Sequence, residues 1–369
     1  MRVNVDISNA NMWGSGICTF ENEILNRISI QNPEIDFRGC TNFRRNVERG
    51  SFERFPFKIS YSYIPYKLVY NYETPICYEK MMKSNSKLNL FCTYDLPRVR
   101  YKAPTIATVH DIILQKVQSE NKELIEKYDK KVRHAINVAD HILTVSEATK
   151  HDLMDYYDIP EKRITVAYNG VDYLKYTKEY SFEEKRLLRE KYGLPEKYFL
   201  YFGSIRKHKN LENMITAYSY LPMNIRNEIK LVITKKSSEL ERLCHILRIT
   251  DDVIFTDYID ECDKECLYKL AYATIFVSYY EGFGLPIIES MAAGTPVITS
   301  NVSSMPEVAG NAALLVNPND PESIAEAMKT IVEDKEEYNR LADLSVQNVK
   351  RFDWDNSAAV VSKLIKDMV

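Results

Sequence analysis

At 369 residues, with 45% hydrophobic and 27% charged residues and a net charge of -3, the chain exceeds one ordinary core and suits two globular domains of about 150 to 200 residues each. That balance argues against a dedicated nucleic-acid binder, and no apolar run approaches the length of a membrane span. Seven cysteines, odd in number and scattered, argue against a disulfide framework.

Residues 3–7 read as a strand and not as the apolar core of a signal segment, so a cytoplasmic location is expected. A glycine loop follows, Asn9 to Ile17, with Gly14 and Gly16, and a helix is expected at 20–30. Next comes a basic and aromatic stretch. Arg38, Arg44, Arg45, Arg49, Arg54, Lys58 and Lys67 alternate with Phe43, Phe52, Phe55, Phe57, Tyr61, Tyr63 and Tyr66. Two readings stand: a surface for anionic lipid headgroups, at the inner face of the membrane, or ordinary strands and loops. Strands are expected at 105–109 and 141–145, and helices at 124–139 and 147–156 with Ser146 as a cap. His110 follows the first of these strands closely, where an imidazole can hydrogen-bond a ligand or assist proton transfer near neutral pH. A run at 164–168 enters the turn Asn169-Gly170, and the charged, tyrosine-rich segment 172–195 is expected to link two domains.

The second half opens with a strand at 198–202 and the turn Gly203-Ser204-Ile205-Arg206-Lys207-His208-Lys209-Asn210. A helix start with basic side chains gathers the charge that develops on a departing phosphate. Strands follow at 230–234, 253–255 and 274–277. After the last stands Glu281-Gly282-Phe283-Gly284-Leu285-Pro286, with Pro286 suited to a helix start, Glu289 inside that helix and Gly294 at its end. Glycines and a helix N-terminus suit a phosphate, while two glutamates do not, unless they accept hydrogen bonds from hydroxyls on either side of it. A diphosphate between two polyols is a sugar nucleotide. Cys262 and Cys266, four apart with His245 upstream, read as packing rather than zinc ligands. Asp353-Trp354-Asp355 has a metal-binding form, but it precedes a helix expected at 357–368, where Asp355 fits an N-cap. No metal or other cofactor is expected.

Glu281 and Glu289 around Gly-Phe-Gly-Leu-Pro, followed by Met291-Ala292-Ala293-Gly294-Thr295-Pro296 and by Pro306-Glu307-Val308, resemble the signature of retaining glycosyltransferases of family 4. The resemblance implies a GT-B fold: two Rossmann-like α/β domains, each a doubly wound parallel sheet, facing an interdomain cleft. It places a first domain at 1–180, joined by a terminal helix at about 355–369, and a donor domain at 190–352. It assigns Glu281 to the donor sugar, Glu289 to the ribose, and the amides of Phe283, Gly284 and Leu285, with Gly282, Gly203 and Ser204, to the sugar and phosphates. Lys209 matches the family's phosphate lysine. The companion arginine is replaced by Ser204, which leaves Arg206 as its candidate. The resemblance also puts Gly14 and Gly16 at the donor–acceptor junction and His110 near the sugar; Cys18 stands where relatives carry another glycine, and Asn169 belongs to a recurring segment of the cleft floor. The implied activity is transfer of a hexose from a nucleoside-diphosphate sugar, GDP-mannose first, to a glycan or lipid-linked acceptor in surface-polysaccharide synthesis. A sugar-nucleotide epimerase and a catalytically silent scaffold fit the same fold.

Overall fold

The computed structural model describes residues 1–11, 15–42, 52, 54–117 and 121–369. Gly14, Phe43, Arg44, Arg45 and Arg49 lie outside the described residues. The chain divides into two compact units, Met1–Asn169 with Trp354–Val369, and Gly170–Asp353.

The first unit is built on a parallel sheet of strands β1 (Arg2–Asp6), β2 (Asp36–Asn42), β3 (Lys58–Ser62), β4 (Leu88–Phe91), β5 (Thr105–Thr108), β6 (His141–Thr144) and β7 (Ile164–Val166). Their order is β3-β2-β1-β4-β5-β6-β7. β4 and β5 are buried at every position and β6 at all but its first, as parallel strands covered on both faces must be. Strands β2, β3 and β4 escape a pattern search: β2 carries Gly39 and polar residues in mid-strand, and β4 buries Asn89 between Leu88 and Leu90. Asn89 is tolerated there because its amide donates to Glu79 Oε1 at 2.9 Å and its oxygen accepts from Asn4 at 3.1 Å.

The second unit repeats the plan with β8 (Tyr198–Tyr201), β9 (Lys230–Ile233), β10 (Val253–Phe255), β11 (Ala273–Phe276), β12 (Val297–Ser300) and β13 (Ala313–Val316), in the order β10-β9-β8-β11-β12-β13. Every pairing is parallel. In each unit the order of strands reverses once, between β1 and β4 and between β8 and β11. A crevice opens at the carboxyl ends of the strands at such a reversal.

Helix ends follow local chemistry. Ser15 caps the Gly16–Gln31 helix by accepting from Cys18 N at 3.2 Å, and Ser146 caps Glu147–Tyr157 by accepting from Thr149 N at 3.0 Å. The expected linker is instead largely helical, with Tyr173–Tyr176 and Phe182–Tyr192, and it groups with the second unit. A charged, exposed helix lacks the apolar periodicity that marks a packed element; a Ser181–Glu184 capping box starts the longer helix and Gly193, at a φ of 64°, ends it. The terminal helix begins earlier than expected, at Trp354–Asp367, so Asp355 lies within its first turn rather than at its cap and pairs with Arg27 Nε at 3.0 Å.

That terminal helix packs on Gly16–Gln31. Trp354, Ala358, Val361 and Ile365 are buried, as are Phe20, Ile24 and Ile28 of the partner helix, and Asn32 Nδ2 donates to Ser362 Oγ at 2.8 Å. Ile365→Ala should therefore destabilise the first unit by about 2–5 kcal/mol. Urea denaturation checks this, and an unchanged midpoint would show that the terminal helix is not part of that unit's core.

Candidate functional site

The crevice of the second unit is bordered by the loops that leave β8 and β11. Beyond β11, Val277 and Ser278 stay buried, and the chain turns through residues 279–284 into the helix Leu285–Ala292. Gly284 stands at that helix's N-cap with a φ of 102°, where a Cβ would lie 3.0 Å from Ile287 Cδ1. Pro286 falls in the first helical turn, and Gly294, at a φ of 75°, follows the helix end as expected.

The loop's shape is fixed from behind by two serines. Ser303 Oγ accepts the Glu281 N–H at 2.9 Å and donates to the Glu281 carbonyl at 2.9 Å. Ser304 Oγ lies 2.9 Å from the carbonyls of both Glu281 and Phe283. Ser303 adopts a left-handed φ of 54°, a conformation rare for a residue with a side chain, and its two bonds to one residue offset that cost. Phe283 is buried with its ring edge-on to Phe352 at 5.5 Å, while Gly282 and Leu285 are half-buried. Both serines stand in the run Ser303-Ser304-Met305-Pro306-Glu307-Val308, which resembles the mannosyl and rhamnosyl branches of the family, but nothing local in it announces these hydrogen bonds.

On the other side of the crevice, β8 leads through Gly203 to a short turn, Lys207–Lys209. Gly203 donates to Thr234 Oγ1 at 3.3 Å, and Ser204 is tied by its carbonyl to the Tyr201 hydroxyl at 2.5 Å. Asn210, left-handed at a φ of 61°, donates from Nδ2 to the carbonyls of Val277 at 2.9 Å and Pro318 at 2.6 Å, which pins the β8 loop to the end of β11. The result is an ion pair across the crevice. Lys209 Nζ lies 2.7 Å from Glu281 Oε1 and 5.1 Å from the centre of the Phe276 ring, and the two charged side chains are 16% and 11% exposed. Arg206 is exposed at the head of the turn.

Glu289 projects from the helix Leu285–Ala292 with its carboxylate 12% exposed. Lys264 Nζ donates to Oε1 at 3.1 Å, and the Tyr268 hydroxyl donates to Oε2 at 2.9 Å. Burial opposes the Lys264 charge, but Glu289 and Glu261 outweigh it and hold the ammonium above its ordinary range. Both donors come from the helix Lys264–Leu270. Spacing along the chain does not announce them, because the contact depends on tertiary placement.

In the first unit, His110 is buried beyond β5, and its Nε2 lies 2.9 Å from the Cys92 carbonyl. A carbonyl only accepts, so Nε2 carries the proton and Nδ1 keeps a lone pair. Burial holds this ring below the ordinary imidazole range, against the opposing effects of the Cys92 carbonyl and Asp111. Phe20 meets the ring edge-on at 5.1 Å. His110 is therefore a neutral hydrogen-bonding group at neutral pH rather than a ready proton donor. Gly16 opens its helix, Cys18 turns its thiol to the Ala10 carbonyl at 3.2 Å, and Asn169 is buried with Oδ1 making no hydrogen bond. Glu21, which the sequence did not single out, is wholly buried, and burial followed by the Asp6 charge pushes it well above the usual carboxylate range.

The profile described as Glycosyl transferases group 1 matches residues 184–345, and that described as Glycosyltransferase Family 4 matches residues 85–173. The serotype-specific mannosyltransferase WbdA of Escherichia coli is 29% identical over 275 residues, covering 72% of this chain and 34% of WbdA, so the chain spans about a third of that relative. The O-antigen chain mannosyltransferase B of Escherichia coli is 30% identical over 259 residues, covering 68% of this chain and 67% of the relative. Among solved structures, the sucrose-phosphate synthase of Thermosynechococcus elongatus superposes with a TM-score of 0.74 at 18% identity, over 100% of this chain and 98% of its own. That likeness shows the fold, GT-B.

One consequence of the site's charges is open to titration. Burial lowers His208 to about 4; Glu281 opposes the shift, while Lys209 and Arg206 add to it. The unfolded chain takes up a proton near the ordinary imidazole value of about 6.5, whereas the folded chain does so only near 4. Stability from this group is thus complete above about 6.5 and is lost as the pH falls through that window. His208→Gln should flatten this part of the acid-stability profile in urea denaturation. An unchanged profile would mean that His208 titrates normally in the folded chain.

Proposed function

Because this chain belongs to the group 1 family of glycosyl transferases, we propose that it moves a hexosyl unit from a nucleoside-diphosphate sugar to a hydroxyl of a glycan or glycolipid acceptor, with retention at the anomeric carbon. GDP-mannose is the first donor to test, since WbdA and mannosyltransferase B are both named as mannosyltransferases. The observation that carries this reading is the Lys209–Glu281 pair, set where strand order reverses between β8 and β11. A diphosphate entering there takes Lys209 from Glu281, exchanging one anion for another. Lys209 then balances the charge that develops on the leaving phosphate oxygen, with Arg206 exposed nearby in sequence and the amides of residues 282–285 around the phosphates. Glu281, released, accepts a hydroxyl of the donor sugar, and Glu289 accepts those of the ribose. In this scheme the leaving charge requires no metal. In the first unit, His110 offers its Nδ1 lone pair to a sugar hydroxyl.

Lys209→Ala should lower kcat/KM for GDP-mannose by about 10- to 100-fold, the worth of one hydrogen bond to a charged group. Assays use GDP-, UDP-, dTDP- and ADP-hexoses with and without mannose-terminated oligosaccharides. Transfer appears only with acceptor, whereas an epimerase would alter donor without it and a scaffold would do neither. Unchanged turnover in the variant would remove Lys209 from the chemistry.

The surface around the helix Tyr66–Asn71 supports a second element of this reading, contact with an anionic membrane face. Tyr63, Leu68 and Tyr72 are 71%, 44% and 65% exposed there, close in sequence to exposed Lys58 and Lys67. Aromatic and aliphatic side chains beside lysines suit a headgroup layer. The protein should co-sediment with vesicles containing phosphatidylglycerol and do so less when Tyr63, Leu68 and Tyr72 are replaced by serine; equal pelleting with pure phosphatidylcholine would contradict the charge contribution.

A further inference from the structure

The two donors that hold Glu289 do so in a way that leaves its remaining capacity defined. Lys264 and Tyr268 stand four residues apart on one helix, so they share a face, and they take different oxygens: Nζ to Oε1 at 3.1 Å and the hydroxyl to Oε2 at 2.9 Å. Each is itself fixed. Lys264 has a second anchor in Glu261 Oε1 at 2.6 Å. Tyr268 is fully buried, with its ring 5.5 Å from that of Phe202 and 6.2 Å from that of Tyr176, and its carbonyl accepts from Thr295 Oγ1 at 2.8 Å.

An ionised carboxylate offers about four acceptor positions, two on each oxygen. With one on each oxygen already occupied, the carboxylate keeps one on each, and its rotation is blocked by two donors from a single rigid face. That arrangement fits a pair of adjacent hydroxyls, one for each oxygen. A ribose presents such a pair at its 2′ and 3′ positions, and a 2′-deoxyribose does not.

We infer that Lys264 and Tyr268 are positioning residues that hold Glu289 in the orientation needed to read both ribose hydroxyls, and that the site thereby selects ribonucleotide over 2′-deoxyribonucleotide donors. This rests on the ribose role proposed for Glu289. Lys264 and Tyr268 act through that carboxylate and do not themselves touch the reacting atoms. A pair of residues that merely cross-linked two helices would affect stability but not the choice between two sugars that differ by one hydroxyl.

The test is the ratio of dissociation constants for GDP and 2′-deoxy-GDP, measured by titration calorimetry on the full chain, with thermal unfolding recorded for each variant. The unaltered protein is expected to favour GDP by about 10-fold or more, the worth of one hydrogen bond to a charged partner. Lys264→Met and Tyr268→Phe should each bring the ratio close to one, while Lys264→Arg should largely keep it. Tyr268→Phe differs by a single hydroxyl and preserves the ring packing, so it remains informative where Lys264→Met unfolds. Glu289→Gln separates the two levels of the idea. If that variant loses the preference while Lys264→Met and Tyr268→Phe keep it, the positioning role is overturned and the ribose role stands. A ratio near one in the unaltered protein overturns both.

Discussion

One ion pair organises the second unit. Lys209 and Glu281 belong to loops that leave neighbouring strands at the reversal of strand order, and their charged groups are largely shielded from water. Removing either partner would strand a charge in a poorly solvated place, which is far more costly than losing a surface salt bridge. The backbone around them is arranged to keep them matched. Asn210 ties the Lys209 loop to the end of β11, and Ser303 and Ser304 hold the Glu281 loop by its own N–H and carbonyl groups. A group buried in this way leaves its partner readily only for a ligand that supplies an equivalent charge. Each of the two charges thus finds its match within the chain itself.

What a reader can extract from the sequence depends on whether a residue's role is local or tertiary. Pro286 and Gly294 are legible because a helix start or stop demands them within a few positions, and both sit where those demands place them. The partnership of Lys209 with Glu281 follows less directly, since 71 residues separate them and only the neighbouring placement of β8 and β11 brings them together. Lys264 and Tyr268 lie beyond such reasoning altogether: nothing in their own helix announces that both face Glu289. Ser303 is a different failure. Its left-handed backbone is a place where glycine is expected, and a serine gives no local warning that its side chain repays the strain.

The first unit follows the same topology with different chemistry at its reversal. There His110 donates to the Cys92 carbonyl and is held neutral by burial, and Glu21 is favoured as the protonated acid beside the buried Asp6 charge. Its early strands were the hardest elements to recognise because they carry glycine, asparagine and charge where a buried strand is expected to be apolar. Asn89 is satisfied in part by a partner far along the chain, Asn4, and no short window of sequence contains both. The resemblance to a glycosyltransferase family therefore came mainly from the second unit, where glycine turns and helix caps leave a local record.

The terminal helix has a consequence for how the molecule is made. Residues 354–369 complete the core of a unit whose other members lie within residues 1–169, with the whole of the second unit synthesised between them. On the ribosome, which delivers the chain from its N-terminal end, the hydrophobic face of Gly16–Gln31 must wait through the synthesis of that entire unit before its partner emerges. The second unit, contiguous in sequence, faces no such delay. Vectorial synthesis thus orders the two events: the unit begun second can be finished first, while Phe20, Ile24 and Ile28 remain the surface most in need of protection in the nascent chain.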